Sequence, residues 1–348
     1  MPVRNPVINP VINILELPPE LLLLILKILI TIDPITLLGS VPGVCKRLRA
    51  LCSGVHGSFD MGASLESVST KAMTAKVRLF PRTTGLWTFS RFPLLDSCKA
   101  GLLEVTDALL KEDASKVDNA MDGGYTPLYM ACKFGHLEVA RLLVENGADI
   151  NRAMDGGYTY LFTACAKGHL DVARLLVENG ADINRAMDGG YTYLFTACAK
   201  GHLDIARLLV ENGANINRGN NPGATPLFTA CAKGHLDIAR LLVENGADIN
   251  RAMDGGTTPL YIACAMGHLD VARLLVENGT DVNKADHDGW TPLFTACGKG
   301  HLDIVRLLVE KGADMDKAAN DGCTPLEIAR RTGSTEIIAL LEQAGANE

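Results

Sequence analysis

A Thr-x-Leu element recurs at Thr126, Thr159, Thr192, Thr225, Thr258, Thr291 and Thr324, and every step is 33 residues. A period that strict confines the chain to a repeat architecture, in which each copy is one supersecondary unit that only its neighbours can complete. Between the marks the text is almost copied, as in the run from Gly168 to Asn184, GHLDVARLLVENGADIN. A degenerate copy precedes the series over roughly 93–125, with one extra residue near Thr106, and a truncated copy closes the chain near Glu348.

Each copy reads as two short helices. Thr126 followed by Pro127 suits an N-cap and a first-turn proline, which has no N–H to lose. Leu128, Ala131 and Cys132 give the first helix an apolar side, and Gly135 stops it in the left-handed conformation that glycine adopts cheaply. Leu137, Val139, Ala140, Leu142 and Leu143 form the apolar side of the second helix, with Glu138 near its positive end. Asn146-Gly147 ends that helix, and Asp155-Gly156-Gly157 turns the chain into the next copy. Helices this short are not stable alone. The expected fold is therefore an all-α repeat solenoid of stacked helix-turn-helix units with turn or hairpin tips.

Catalytic and metal chemistry find little footing. Cys132, Cys165, Cys198, Cys231, Cys264 and Cys297 recur once per copy. Packed helices lie about 8–10 Å apart, whereas a disulfide wants Cα atoms within about 7 Å. These thiols are expected to stay reduced as small buried hydrophobes. His136, His169, His202, His235, His268 and His301 each follow a cysteine by four residues, a Cys/His pairing that a metal can use. A glycine lies between the two and ends the helix, so the histidine is expected to hydrogen-bond backbone at the turn. Asp286-His287-Asp288-Gly289 lacks the downstream glutamate of a calcium loop. Asn278-Gly279-Thr280 is a glycosylation site only in a secreted chain. There is no phosphate-binding glycine loop, no H-E-x-x-H and no nucleophile elbow. The chain is expected not to be an enzyme and to carry no cofactor or metal.

The T-P-L element, the G-H-L turn and the L-L-x-x-G-A-x-h-N tail together resemble the ankyrin repeat. The resemblance covers residues 93–348, about eight units with degenerate first and last caps. It departs from the family at Tyr160 and Tyr193, which replace the proline, and after T-P-L, where the usual histidine is Tyr129, Phe162, Phe195, Phe228, Tyr261, Phe294 or Glu327. That loss puts a fixed hydrogen-bond ladder between units in question.

If the scaffold is constant, recognition sits where copies differ. The residue before each Thr runs Tyr125, Tyr158, Tyr191, Ala224, Thr257, Trp290, Cys323, and the residue before the G-H turn runs Phe134, Lys167, Lys200, Lys233, Met266, Lys299. The resemblance implies that both rows line the concave side. Expected target contacts are Tyr125, Phe134, Tyr158, Lys167, Tyr191, Lys200, Lys233, Met266, Trp290 and Lys299, because Tyr and Trp dominate interface energies. The alternative is that the tyrosines only shield the turns beneath them. Arg152, Arg185, Arg218 and Arg251 flank the tips and are candidates to pair with acidic groups of a partner.

The front end differs. Residues 1–16 form a tail, and residues 17–52 read as three short helices, broken at Asp33-Pro34, with more apolar surface than so small a module can cover. Leu17, Pro18, Glu20, Leu21, Leu22, Ile25, Leu26, Asp33, Leu37, Leu38, Val44, Cys45, Lys46, Arg49 and Leu51 resemble an F-box, with Leu48 where tryptophan is common and Pro42-Gly43 interrupting the third helix. The resemblance implies docking of Leu17, Pro18, Leu21, Leu22, Ile25, Leu26, Leu37, Leu38, Val44 and Cys45 onto the small adaptor subunit of a cullin–RING ubiquitin ligase. The ankyrin units would then hold a protein target, making the chain a substrate receptor. The competing expectations are a stand-alone interaction scaffold capped by the N-terminal helices, or a membrane-tethered one. Residues 53–92 read as a mixed connector.

Charge and hydropathy bound the partners. Of 33 basic and 40 acidic side chains, 10 and 5 fall within residues 1–92, which leaves the repeats a net charge of −12. An acidic body argues against nucleic acid, which needs a positive footprint. The longest apolar run, Leu21–Ile32, is 12 residues and contains Lys27, against the roughly 20 that a bilayer span needs. Glu16, Pro18, Pro19 and Glu20 interrupt any secretory signal. A soluble chain of the cytoplasm, with the nucleus also open to it, is expected.

Overall fold

The computed structural model describes residues 79–81, 87–89 and 92–347, apart from 122, 155 and 156. The candidate F-box module and most of the connector lie outside the described residues. From the connector the structure describes one antiparallel pair, β1 (Leu79–Pro81) with β2 (Trp87–Phe89), in which Leu79 faces Phe89. The rest is helical, sixteen α-helices among the described residues, and the chain divides into two compact units at Ala148.

The first unit holds two helix pairs. They are α1 (Pro93–Ala100) with α2 (Leu103–Glu112), and α3 (Pro127–Phe134) with α4 (Leu137–Glu145). α1 packs on α3 and α2 on α4. The degenerate copy is thus a true repeat, and its extra residue lengthens α2 to 10 residues where α4 has 9. Thr106 of α2 is fully buried. Its hydroxyl is satisfied by the Leu102 carbonyl at 2.8 Å and by Ser97 Oγ at 3.0 Å, as a buried hydroxyl requires.

The second unit holds six pairs. In order they are α5 (Tyr160–Lys167) and α6 (Leu170–Glu178), α7 (Tyr193–Lys200) and α8 (Leu203–Glu211), α9 (Pro226–Lys233) and α10 (Leu236–Glu244), α11 (Pro259–Ala265) and α12 (Leu269–Glu277), α13 (Pro292–Lys299) and α14 (Leu302–Glu310), and α15 (Pro325–Thr332) and α16 (Thr335–Ala344). First helices pack on first helices and second on second, each on its neighbour in sequence. The core is the strip between the two layers. Leu161, Leu176, Leu194, Leu209, Leu227, Leu242, Leu260 and Leu275 are all at most 1 % exposed.

Local chemistry fixes the ends of every pair. The repeated Thr accepts a hydrogen bond from the amide three residues on, at 3.0–3.2 Å in all seven copies, from Thr126 with Tyr129 to Thr324 with Glu327. This satisfies a helix-start amide. The last copy adds the reciprocal bond, Thr324 N–H to Glu327 Oε2 at 3.0 Å, completing a capping box. Its first helix also carries Arg330 and Arg331 in its last turn, where the helix dipole favours a cation. Gly168 closes α5 at φ +80°. A Cβ there would also come within 2.9 Å of the His202 ring of the next repeat, so this glycine answers two requirements at once.

Candidate protein-binding surface

The repeated histidines are structural. They stand at the N-caps of the second helices without capping them, and the rings of His136, His202, His235, His268 and His301 lie instead against the glycine of the preceding repeat. His136 Nε2–H donates to the Lys99 carbonyl at 3.1 Å, His268 to Ala232 at 3.3 Å and His301 to Ala265 at 3.4 Å. The repeated cysteines are fully buried and unpaired. Burial pushes the thiols of Cys132, Cys165, Cys198, Cys231 and Cys264 far above their ordinary range. Those of Cys98 and Cys297 rise to about 12. A buried protonated thiol is neither nucleophile nor ligand. Among the described residues no three His, Cys, Asp or Glu side chains converge as a metal site needs.

A hydrogen-bond ladder does join the repeats, made by residues other than the missing histidine. The tail asparagines carry it. Asn184 Nδ2 donates to the Gly213 carbonyl at 3.1 Å, and Asn184 Oδ1 accepts from the Asn215 amide at 2.8 Å. The same bridge recurs with Asn151 and Asn217, and Asn250 and Asn283 accept the equivalent amide from the next copy. Two of the tip arginines, Arg185 and Arg218, belong to this ladder too, which for these two corrects the expectation that they reach for a partner. Arg185 donates to the Asn151 carbonyl at 3.3 Å and Arg218 to the Asn184 carbonyl at 2.8 Å. Lys284 and Lys317 take the same place in later copies. A flexible side chain held by the neighbouring backbone is an internal tie, not a vacant donor. One of the two departures from proline also acts between copies. Tyr160 and Tyr193 are at most 1 % exposed, and Thr159 Oγ1 donates to the Tyr193 phenol oxygen at 2.8 Å.

With those residues assigned to the scaffold, the variable rows remain on the first-helix side. In the second unit Tyr158 is 43 %, Tyr191 40 % and Trp290 41 % exposed. Each ring leans on the aromatic four residues later, Tyr158 on Phe162 at 5.4 Å, Tyr191 on Phe195 at 5.2 Å and Trp290 on Phe294 at 5.5 Å. The i,i+4 spacing across the cap turns the second ring toward the first. The row is interrupted, because Ala224 and Cys323 are buried, Cys323 in a cluster with Phe294, Ala319 and Ile328. One first helix downstream of each, Lys167, Lys200, Lys233 and Lys299 stand exposed at the helix ends, and Met266 occupies the same place at 54 % exposure. The first unit carries its own version. Tyr125 packs at a tilt on Tyr129 at 5.1 Å, Phe134 is exposed, and Lys133 Nζ lies 5.6 Å over the Tyr129 ring. Tyr191 also covers Gly189, and Tyr125 covers Gly123, so the shielding role is real, yet it leaves the outer part of each ring in water.

The family model for ankyrin repeats (3 copies) matches residues 81–154, 152–220, 218–286 and 281–348. The chain belongs to the ankyrin-repeat family. Its matched segments cover most of the sequence and meet end to end, as stacked ankyrin units require. Ankyrin repeats serve as interaction modules for protein partners, and no catalytic family is indicated. The matches begin at residue 81, and no F-box domain is found in the ankyrin protein's front end. No curated protein matches the chain. No helix among the described residues is long and apolar enough to cross a membrane.

Proposed function

We propose that this chain is a non-catalytic recognition scaffold that holds a protein target on the first-helix side of its ankyrin units, with Tyr158, Tyr191 and Trp290 as anchors. One observation carries the reading. Three large rings each pack on a second aromatic, Tyr158 and Tyr191 edge-on and Trp290 stacked, and are still about 40 % exposed. Rigid amphipathic rings lose little entropy on binding and bury much area. The lysine row and Met266 supply the second line of contact, and Tyr125 and Phe134 do so in the first unit. The test is affinity purification of the full chain beside a Tyr158→Ala/Tyr191→Ala variant, with retained proteins identified by mass spectrometry. Loss of specific partners at an unchanged melting profile supports the reading, and an identical partner list sinks it.

A second reading extends the first and is favoured by the F-box resemblance at Leu17 through Leu51. In it, Leu17, Pro18, Leu21, Leu22, Ile25, Leu26, Leu37, Leu38, Val44 and Cys45 dock the adaptor of a cullin–RING ubiquitin ligase in the cytoplasm or nucleus. The scaffold then acts by proximity, raising the local concentration of target lysines near loaded ubiquitin. If the wild-type chain retains no more adaptor than a Leu21→Asp/Leu22→Asp variant, this extension is dropped and the scaffold reading stands.

A further inference from the structure

The lysine row has a spacing that specifies a ligand. Lys167, Lys200, Lys233 and Lys299 end the first helices α5, α7, α9 and α13 of one compact unit, and these helices pack in sequence with α11 between the last two. All four amines are exposed and, among the described residues, make no ion pair or hydrogen bond. Each sits in the last turn, where a cation is favoured by the helix dipole. That accounts for a basic residue there and leaves its charge free to meet another. Adjacent packed helices stand about 8–10 Å apart, so the row presents one positive charge about every 10 Å, with one step left uncharged at Met266. An extended chain rises about 3.3 Å per residue. Carboxylates at every third residue of an extended segment therefore keep step with the lysines.

We propose that the occupant of this face is an extended acidic segment of a partner protein, with a carboxylate at every third residue and one apolar residue where it passes Met266. This rests on the reading of the first-helix side as the binding face and adds the chemistry of what lies there. The row spans five helices, which corresponds to about thirteen residues of extended chain. Charge complementarity selects the partner. The repeats carry a net charge of −12, so a polyanion of unbroken charge is repelled by the body as a whole, whereas a segment with intermittent carboxylates meets lysine at each of them. The chain's own front end does not fit, since residues 1–78 hold 8 basic and 5 acidic side chains and nowhere three carboxylates within thirteen residues. Half-buried Ala166, Ala199, Ala232 and Ala265 precede the row's residues on the first helices, and short side chains leave room for a backbone beside the ammonium groups. Met266 breaks the charge pattern with a flexible apolar side chain of the kind that adapts to varied partners.

The experiment uses the full chain and two fluorescent peptides of identical composition, read by anisotropy at low and physiological salt. One has glutamate at every third position and leucine at the Met266 step. The other has its glutamates in a block. The spaced peptide is expected to bind roughly tenfold more tightly, from several exposed pairs of modest individual worth. Lys200→Glu/Lys233→Glu is expected to abolish that preference at an unchanged melting profile, and Met266→Lys to shift it toward a peptide with glutamate at the leucine step. Equal binding of the two peptides, no binding of either, or tighter binding of an oligothymidylate overturns the proposal. Should the peptides fail while Tyr158→Ala/Tyr191→Ala still strips partners from the chain, the scaffold reading survives and this inference alone is lost.

Discussion

Thr159 donates its hydroxyl hydrogen to the Tyr193 phenol oxygen, 2.8 Å away in the next repeat, while its own oxygen caps the helix that begins at Tyr160 by accepting from the Phe162 amide at 3.2 Å. One buried hydroxyl thus caps the start of a helix and joins two repeats. Tyr193 stands where the resemblance to the family puts a first-turn proline, and its phenol gives these two copies a buried polar contact across their junction.

Tyr193→Phe removes that contact and little volume. A cost of about 1 kcal/mol is expected, the worth of one neutral hydrogen bond, read as a lower urea midpoint. Tyr193→Pro is expected to cost more even though it restores the family residue, because the ring is 1 % exposed and its removal leaves a cavity. If the proline variant is the more stable of the two, the lock is not what Tyr193 contributes.

Asn184→Ala severs two links to the following repeat, the 3.1 Å bond to Gly213 and the 2.8 Å bond from Asn215. Both are solvent-exposed, so about 1 kcal/mol is expected for the pair. Hydrogen exchange offers the sharper readout. The amide of Asn215 should lose protection while that of Asp281, held by Asn250, keeps it.

Leu175→Ala empties a site that is 5 % exposed on α6, at an expected cost of about 2–5 kcal/mol. Because each repeat is completed by its neighbours, the loss should spread to adjacent copies. Unfolding that remains a single sharp transition at the wild-type midpoint would contradict this.

Alkaline pH should destabilise the chain through its buried thiols. Burial raises the thiols of Cys98 and Cys297 to about 12, and those of the other repeated cysteines further. An unfolded thiol titrates near about 8.5. The folded state therefore keeps its full stability below that value and loses it as pH rises toward the folded values, by up to about 1.4 kcal/mol per pH unit for each thiol. Tyr193, also raised by burial, adds to the loss at higher pH. Urea midpoints measured from pH of about 7 to about 10 should fall steeply in the upper half of that range, and a flat profile would refute the assignment.

The repeat was legible because its signals are local. Thr caps, Gly stops and the leucine period belong to segments of a few residues, and seven copies in phase left one architecture open. The reduced state of the cysteines followed from helix spacing, and the backbone role of the histidines from the glycine before them. The ladder was not legible. Asn184 reads as an ordinary helix-tail residue until the next copy brings the Gly213 carbonyl beside it, and Arg218 looked available until the Asn184 carbonyl was found 2.8 Å from it.

Sequence alone determined where each helix starts and stops and which residues vary between copies, since those depend on neighbours along the chain. Only the tertiary structure decided which polar groups are consumed in joining copies and which remain to meet a partner. That division depends on residues about 30 positions apart, such as Asn184 and Asn215, whose contact is set by how one repeat seats on the next.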